Sequence, residues 1–167
     1  MNILFLHGLE SHLSDDKKRI LESYGNVIAP DMDYHTNPNT IDTLYNKYIN
    51  QDIDVIIGSS MGGFAGFYLS KLLDTAALLF NPALPYRNEV QQNIPDIHQG
   101  HRHLVQIAIG KLDTTILAKD NLKFIINLMP VDHDLRIHVI NNMEHRIPLE
   151  HFEKEVKLFW GNSLRMK

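Results

Sequence analysis

The stretch Gly58-Ser59-Ser60-Met61-Gly62 decides the fold, because it stands between an apolar strand-like run and a helix-compatible run. Val55-Ile56-Ile57 leads into it, and Phe64 to Leu73 follows it. The pattern G-x-S-x-G in that setting is typical of a nucleophile elbow, a turn that holds a serine at the tip of a sheet. Such a turn strains the serine backbone and leaves no room for flanking side chains, which glycine removes. Ser60 is therefore a predicted nucleophile; the alternative is a capping serine in a glycine-rich turn.

Apolar and amphipathic runs alternate along the whole chain. The pattern predicts strands at about 2–6, 26–29, 52–58, 75–80, 104–109 and 135–140, and helices at about 15–24, 40–50, 61–73, 115–129 and 148–160. Alternation of this kind favours βαβ units and a parallel sheet covered on both faces, a three-layer α/β/α fold. With 167 residues and no linker, the chain is expected to form a single domain over 1–167.

Composition excludes several classes of partner. The net charge of −4 without a basic cluster argues against binding of nucleic acid or of an anionic membrane. The chain has no cysteine, which excludes disulfides, thiolate metal sites and a cysteine nucleophile. No signal peptide or transmembrane segment is recognisable, so a cytoplasmic location is expected.

A serine nucleophile needs a base, and the base needs an acid that orients it. In a fold of this kind both follow later strands, in the order serine, acid, histidine. Asp113 and His145 each stand a few residues past a predicted strand, at the sheet edge where open α/β sheets place their sites. We therefore expect Asp113 to be the acid and His145 the base. The competing carboxylates are Asp120, on a predicted helix, and Asp132 and Asp134, which precede a strand.

Two backbone N–H groups are expected to form the oxyanion hole. Met61, directly after the nucleophile, would supply one. Leu9, in the loop after the first strand, would supply the other, since Gly8 lets that loop turn inward. His7 is then expected to orient the loop, and His138, inside a predicted strand, to be a packed residue.

No cofactor is predicted. His98, His101 and His103 have the close spacing of metal ligands, but no carboxylate or cysteine pattern completes a site, and a polar loop explains them as well. The Gly58–Gly66 region lacks the Gly-Lys-Ser/Thr ending of a phosphate loop and the spacing of a dinucleotide fingerprint.

The substrate pocket is expected to have walls from two segments, 31–39 and 82–103. The second is too polar and too rich in proline for a core element, and long loops of this kind are often functional. The residues expected near the acyl or alcohol group are Tyr34, His35, Tyr86 and Arg87. A shallow, open pocket of this kind would favour short acyl chains.

Five motifs together resemble the α/β-hydrolase superfamily, and most closely its small lidless bacterial branch, the YqiA-type esterases. They are Leu6-His7-Gly8, Gly58-Ser59-Ser60-Met61-Gly62-Gly63, Asn81-Pro82-Ala83, Gly110-x-x-Asp113 and His145. The resemblance implies six parallel strands in the order 2-1-3-4-5-6. It also implies Ser60, His145 and Asp113 as the catalytic triad, with Leu9 and Met61 as oxyanion donors. Thr115-Ile116 stands where relatives commonly carry Val-Pro, and Met143-Glu144 where they usually carry glycine.

These features predict a serine hydrolase, a carboxylesterase that cleaves small carboxylic esters or thioesters through an acyl-enzyme. An acyltransferase or thioesterase on the same triad is the nearest alternative. A binding protein on a degenerate hydrolase fold is the alternative from another class. The expected partner is a small-molecule ester or thioester, and the sequence leaves the oligomeric state open.

Overall fold

The computed structural model describes residues 1–86, 89–97, 102–128 and 134–163. Within these ranges six parallel strands form one sheet in the order β2-β1-β3-β4-β5-β6, with helices on both faces. The strands are β1 (Asn2–Leu6), β2 (Asn26–Ile28), β3 (Val55–Ser59), β4 (Ala76–Phe80), β5 (Val105–Gly110) and β6 (Leu135–Ile140). The helices are α1 (Asp15–Glu22), α2 (Thr40–Tyr48), α3 (Met61–Leu73), α4 (Ala118–Leu128) and α5 (Leu149–Ser163). The predicted three-layer fold and strand order are confirmed.

Element boundaries differ from the predicted ones mainly where polar groups bind the backbone. β3 begins at Val55, not at 52. Just before it, the Asp54 N–H donates to the Asn2 carbonyl, and the Asp54 carboxylate, instead of a backbone carbonyl, accepts from the Asn2 N–H. α4 begins at Ala118, not at 115, because the Asp113 carboxylate binds the N–H groups of Thr115 and Ile116 in a turn before the helix.

The apolar strands bury both faces of the sheet. Alternate side chains of β1 point to opposite faces, so Leu4 and Leu6 join one core cluster with α2, α3 and α4. Ile3 and Phe5 join the other cluster, with α1 and α5. Burial on both faces accounts for the nearly unbroken apolar strand sequences. None of the helices in the described ranges is long and apolar enough to cross a membrane.

The sheet brings the ends of β3, β4, β5 and β6 to one edge. In its register Ser59 pairs with Phe80, Phe80 with Ala108, and Gly110 with Ile140. The loops that follow these pairs therefore leave the sheet side by side. They contain the residues that the sequence places at the carboxyl edge.

Candidate active site

Ser60 lies in a strained turn between β3 and α3. Its backbone has φ 54° and ψ −120°, a conformation that non-glycine residues rarely adopt. Three hydrogen bonds hold it: the Ser60 N–H donates to the Phe80 carbonyl at 3.0 Å, and the Ser60 carbonyl accepts from Phe64 at 2.9 Å and Ala83 at 3.0 Å. A conformation of this kind costs about 1–3 kcal/mol and persists only where the surroundings enforce it.

The glycines around Ser60 are required by close approach, since none of the described glycines has a positive φ. A β-carbon on Gly62 would lie 2.0 Å from the Leu6 carbonyl oxygen, and one on Gly58 would lie 2.3 Å from the Gly62 carbonyl oxygen. No side chain fits at either distance. β1, β3 and α3 can therefore pack this closely only with glycine at both positions.

Two segments of the chain that contain the expected oxyanion donors lie next to Ser60. The first hydrogen bond of α3 runs from the Phe64 N–H to the Ser60 carbonyl, so the N–H of Met61 has no partner within the helix. Gly8 packs against Ser60: a β-carbon on Gly8 would lie 3.0 Å from Ser60 Cβ. Leu9 follows Gly8 directly, and the chain turns away at Glu10, which has φ 47°. The loop after β1 is thus in contact with the serine.

His7 fixes the position of the loop after β1. It is buried, and its Nε2 accepts a hydrogen bond of 3.0 Å from the Met32 N–H. Since Nε2 accepts, the proton must lie on Nδ1, which donates to the Gly8 carbonyl at 2.6 Å. The neutral imidazole therefore connects the loops after β1 and β2, in agreement with its predicted orienting role.

Asp113 is buried in the turn between β5 and α4, with 3 % of its surface exposed. Its Oδ1 accepts hydrogen bonds of 2.8 Å from the N–H groups of both Thr115 and Ile116. Its Oδ2 lies 2.8 Å from Nδ1 of His145. A proline at position 116 could not donate, so the departure from the common Val-Pro adds a hydrogen bond to this carboxylate.

His145 lies in the loop between β6 and α5, and 31 % of its side chain is exposed. Because Asp113 accepts at Nδ1, that nitrogen has the proton, and it is in the neutral imidazole that Nε2 offers a lone pair. The structure thus joins Asp113 and His145 as a buried carboxylate and a partly exposed imidazole. In the described part of the chain no hydrogen bond joins Ser60 Oγ to His145.

Asn81 is a site residue whose role the sequence does not reveal. It follows β4 with φ 41°, and 1 % of its surface is exposed. Its side-chain amide donates to the carbonyl oxygens of Glu144 at 2.9 Å and His145 at 3.2 Å, and accepts from the Gly110 N–H at 2.7 Å. The available signal was an asparagine directly after a buried strand at the functional edge.

The four residues predicted to contact substrate have different environments. Tyr34 is 2 % exposed, and its hydroxyl donates to the His7 carbonyl at 2.9 Å. Burial raises the pKa of Tyr34, and its side chain offers substrate no open surface. His35 is exposed, with Nε2 3.9 Å from a Glu10 carboxylate oxygen. Arg87 lies outside the described residues.

Tyr86 ends a short 3₁₀ turn, Leu84–Tyr86, and lines a cavity of about 330 Å³. Its hydroxyl donates to Asp120 at 2.8 Å, and this hydrogen bond raises the pKa of Tyr86. Asp120 therefore holds a tyrosine at the cavity instead of serving as partner of His145. The other lining residues are Pro85, Lys123, Phe124 and Asn127.

The two predicted pocket walls contact each other. Gln92 is buried, and its amide donates to the carbonyl oxygens of Tyr34 and Asn37, both at 2.9 Å. The N–H of Asn93 donates to the Pro38 carbonyl at 2.8 Å. The described middle of the second segment is therefore attached to the first.

A second histidine–carboxylate pair lies away from Ser60. Nδ1 of His138 in β6 lies 2.6 Å from the buried carboxylate of Glu155 in α5, which also accepts from the Gln106 amide at 2.8 Å. This pair connects α5 to the sheet, and the expectation of a packed His138 agrees with it. His98 and His101 lie outside the described residues; within the described ranges no three His, Asp or Glu side chains are grouped to hold a metal ion.

Comparison with known proteins identifies the family. Residues 2–123 match the model of the Uncharacterised protein family (UPF0227). No curated protein sequence matches the chain significantly.

Solved structures with this fold share little sequence with the chain. A candidate hydrolase of the alpha/beta superfamily from Xanthomonas campestris is 16 % identical with a TM-score of 0.68, over 96 % of this chain and 97 % of that one. Est1E from Butyrivibrio proteoclasticus, with ferulic acid bound, is 16 % identical with a TM-score of 0.69, over 98 % and 89 %. The Bacillus cereus carboxylesterase is 17 % identical with a TM-score of 0.65, over 96 % and 87 %. The chain therefore belongs to the UPF0227 family, and its fold is that of the α/β hydrolases.

Proposed function

We propose that the protein is a serine hydrolase that cleaves small carboxylic esters or thioesters through an acyl-enzyme. The observation that supports this most strongly is the hydrogen bond between buried Asp113 and His145 at the sheet edge where the strained turn presents Ser60. An imidazole oriented by a carboxylate and an exposed nucleophile form the minimum apparatus of acyl transfer. The carboxylesterase and the ferulic acid-bound Est1E, which share the fold, fit this class of substrate.

In the proposed reaction, His145 Nε2 accepts the proton of Ser60 Oγ as the oxygen attacks the substrate carbonyl. Asp113 stabilises the imidazolium that forms. The N–H groups of Leu9 and Met61 bind the tetrahedral oxyanion. His145 then protonates the leaving alcohol or thiol, and water activated by the same imidazole releases the acid and restores Ser60.

The Ser60–His145 hydrogen bond has to form when substrate binds. Catalytic hydrogen bonds are often long or absent in free enzymes and tighten in the substrate complex. Rotation of the Ser60 side chain about its χ1 bond is the smallest change that could make it, since the Ser60 backbone is held by three hydrogen bonds.

The cavity beside Tyr86 is the proposed place for the acyl or alcohol group. Ala83 is hydrogen-bonded to Ser60, and three residues of chain can span at most about 11 Å. The Tyr86 edge of the cavity therefore lies within about 11 Å of Ala83, and the cavity volume of about 330 Å³ is at the small end of the range for ligand pockets. We expect acetyl and butyryl esters to be hydrolysed faster than long-chain esters, and the reverse order would contradict this pocket. His35 and Arg87 remain proposed substrate contacts.

The test uses a fluorophosphonate probe, which reacts with activated serines, and intact-mass detection. Wild type is compared with Ser60→Ala, His145→Ala and the matched control His138→Ala, which also removes a histidine paired with a buried carboxylate. We expect one adduct on Ser60 in wild type and in His138→Ala, and none in the other two. Turnover of a nitrophenyl ester should fall by about 10⁴-fold or more in both site variants.

Two other outcomes would select the alternatives. No adduct on a folded wild-type protein would favour a binding protein on this fold. Product formation that depends on an added alcohol or thiol acceptor would favour an acyltransferase. Retention of most turnover by Ser60→Ala would exclude Ser60 as the nucleophile.

A further inference from the structure

We infer that Asn81 is a positioning residue that holds the acid loop and the base loop together, an inference that rests on the proposed function. The acid loop is Gly110–Asp113, and the base loop is Met143–His145. The single side-chain amide of Asn81 binds both: its Oδ1 accepts from the Gly110 N–H at 2.7 Å, and its Nδ2 donates to the Glu144 and His145 carbonyls at 2.9 and 3.2 Å.

The contact between Asn81 and Gly110 is linked to Asp113 through the acid loop. The Asp113 N–H donates to the Gly110 carbonyl at 3.2 Å, so Gly110, whose N–H binds Asn81, is joined by one turn to the acid. The two loops are also in close contact, since a β-carbon on Gly110 would lie 2.4 Å from the Met143 carbonyl oxygen. A small displacement at Asn81 would therefore alter the separation of the two loops, and with it the bond between Asp113 and His145.

Asn81 itself is attached to the serine turn. Phe80, the residue before it, accepts the hydrogen bond from the Ser60 N–H at 3.0 Å. Pro82, the residue after it, packs against α3, where a β-carbon on Gly63 would lie 2.9 Å from it. The Asn81 N–H donates to the Ala108 carbonyl of β5 at 2.9 Å. Asn81 and its two neighbours thus have fixed contacts with the elements that present the proposed nucleophile, acid and base.

The chemistry of the three contacts requires an amide of this length. The Gly110 N–H needs an acceptor, and the two carbonyl oxygens need donors. Aspartate supplies no donor when ionised, and glutamine is one methylene too long for a buried, close-packed position. The left-handed backbone at φ 41° is also one that asparagine tolerates better than most residues.

The experiment compares wild type with Asn81→Gly and Asn81→Asp. Glycine accepts the left-handed backbone and deletes all three side-chain hydrogen bonds. Aspartate keeps the shape and removes the two donors. The matched control is Asn121→Asp, at another fully buried asparagine, whose amide has no hydrogen-bond partner in the described part of the chain. This control measures how the same substitution of a buried amide affects stability when no hydrogen bond is lost.

Three readouts separate positioning from a purely structural role. They are the rate of fluorophosphonate labelling of Ser60, the pH profile of kcat/KM for a nitrophenyl ester, and the far-downfield proton resonance of His145 Nδ1–H. We expect labelling to slow by about 10- to 100-fold in both Asn81 variants, as for a sub-ångström to ångström misplacement of reacting groups. The decrease in kcat/KM should come from kcat, with KM nearly unchanged. The pH profile of kcat/KM and the His145 proton resonance should also change. Asn121→Asp should match wild type in all three.

Each other outcome has a definite meaning. If wild type is labelled and a folded Asn81 variant is labelled at the same rate, the inference is overturned while the proposed function stands. A slower variant with unchanged pH profile and resonance also overturns it, because Asn81 would then act only on overall packing. If wild type is not labelled at all, the proposed function itself fails.

Discussion

Gly8 and Ser60 are in van der Waals contact, although 52 positions separate them, because β1 and β3 are neighbours in the sheet: a β-carbon built on Gly8 would lie 3.0 Å from Ser60 Cβ. This contact brings the loop after β1, with the N–H of Leu9, to the side of the serine. Any side chain at position 8 would have to move either the loop or Ser60.

Gly8→Ala should reduce the reactivity of Ser60 more than it reduces stability. The new methyl group forces a shift of a few tenths of an ångström, which the folded protein can accommodate but an oxyanion site cannot. We expect fluorophosphonate labelling to slow by about 10-fold or more. The measurement is the labelling rate together with the thermal unfolding midpoint.

The matched control is Gly161→Ala in α5, where a β-carbon would meet nothing within 4 Å. Alanine should stabilise the helix by about 0.5–1 kcal/mol and leave labelling unchanged. Equal labelling rates for Gly8→Ala and wild type would show that the loop after β1 takes no part in the site.

His7→Ala should destabilise the protein by about 1–3 kcal/mol, since it leaves the part-buried Met32 N–H without a partner and the Gly8 carbonyl with only the Ser11 hydroxyl, at 3.3 Å. His7→Gln keeps an acceptor at the Nε2 end and should lose less. Urea unfolding measures both. An alanine variant as stable as the glutamine variant would contradict the orienting role of His7.

Glu155 and His138 should be energetically coupled. Glu155→Ala leaves His138 without its acceptor and the Gln106 amide with only the backbone carbonyl of residue 155, at 3.3 Å. Because His138 is partly exposed, we expect a loss of about 1–3 kcal/mol in the free energy of unfolding. In a double-mutant cycle with His138→Ala, the two single losses should sum to more than the loss in the double variant. Additive losses would show that the pair contributes nothing beyond its separate packing. Ser60 labelling should not change, since neither residue contacts the proposed triad.

Asp33 should give a pH-dependent contribution to stability. Its carboxylate accepts hydrogen bonds from the Thr36 hydroxyl, the Thr36 N–H and the His35 N–H, and these, chiefly the hydroxyl, lower the pKa of Asp33. Because the pKa of Asp33 is lower in the folded than in the unfolded state, ionised Asp33 stabilises the folded protein at pH values above its unfolded-state pKa. This stabilisation is lost as the pH falls through the folded-state pKa. Asp33→Ala should therefore be less stable than wild type at neutral pH, and the difference should shrink in acid.

Urea midpoints over a pH series measure this effect, with Asp31→Ala as the control for loss of one negative charge in the same segment. A difference between wild type and Asp33→Ala that stays constant down to strongly acidic pH would contradict it.

The fold could be predicted almost completely from the sequence because its determinants are local. Apolar runs specify buried parallel strands, and amphipathic runs between them specify crossover helices. The largest difference in a strand boundary is at the start of β3, where Asp54, the residue before the strand, binds Asn2, a residue of another strand. Local sequence patterns do not predict such a distant partner.

The site was predictable in outline for a topological reason. Parallel strands end at the same edge, so Ser60, Asp113 and His145 were expected near one another from their positions after strands, and the structure brings the last two into contact. Their catalytic roles stay predictions. Tyr34 shows the limit of this reasoning, since a loop residue expected near the substrate has a buried side chain.

The sequence by itself determined the order of strands and helices, the strained turn at Ser60 and the sheet edge at which the candidate residues gather, because periodicity and the steric demands of a turn act over a few residues. The tertiary structure alone decided that the Asn81 amide meets both Gly110 and His145, and that Glu155 pairs with His138. Those contacts join residues 17 to 64 positions apart, so they depend on strand register and on how closely loops approach. Only the packed chain specifies both.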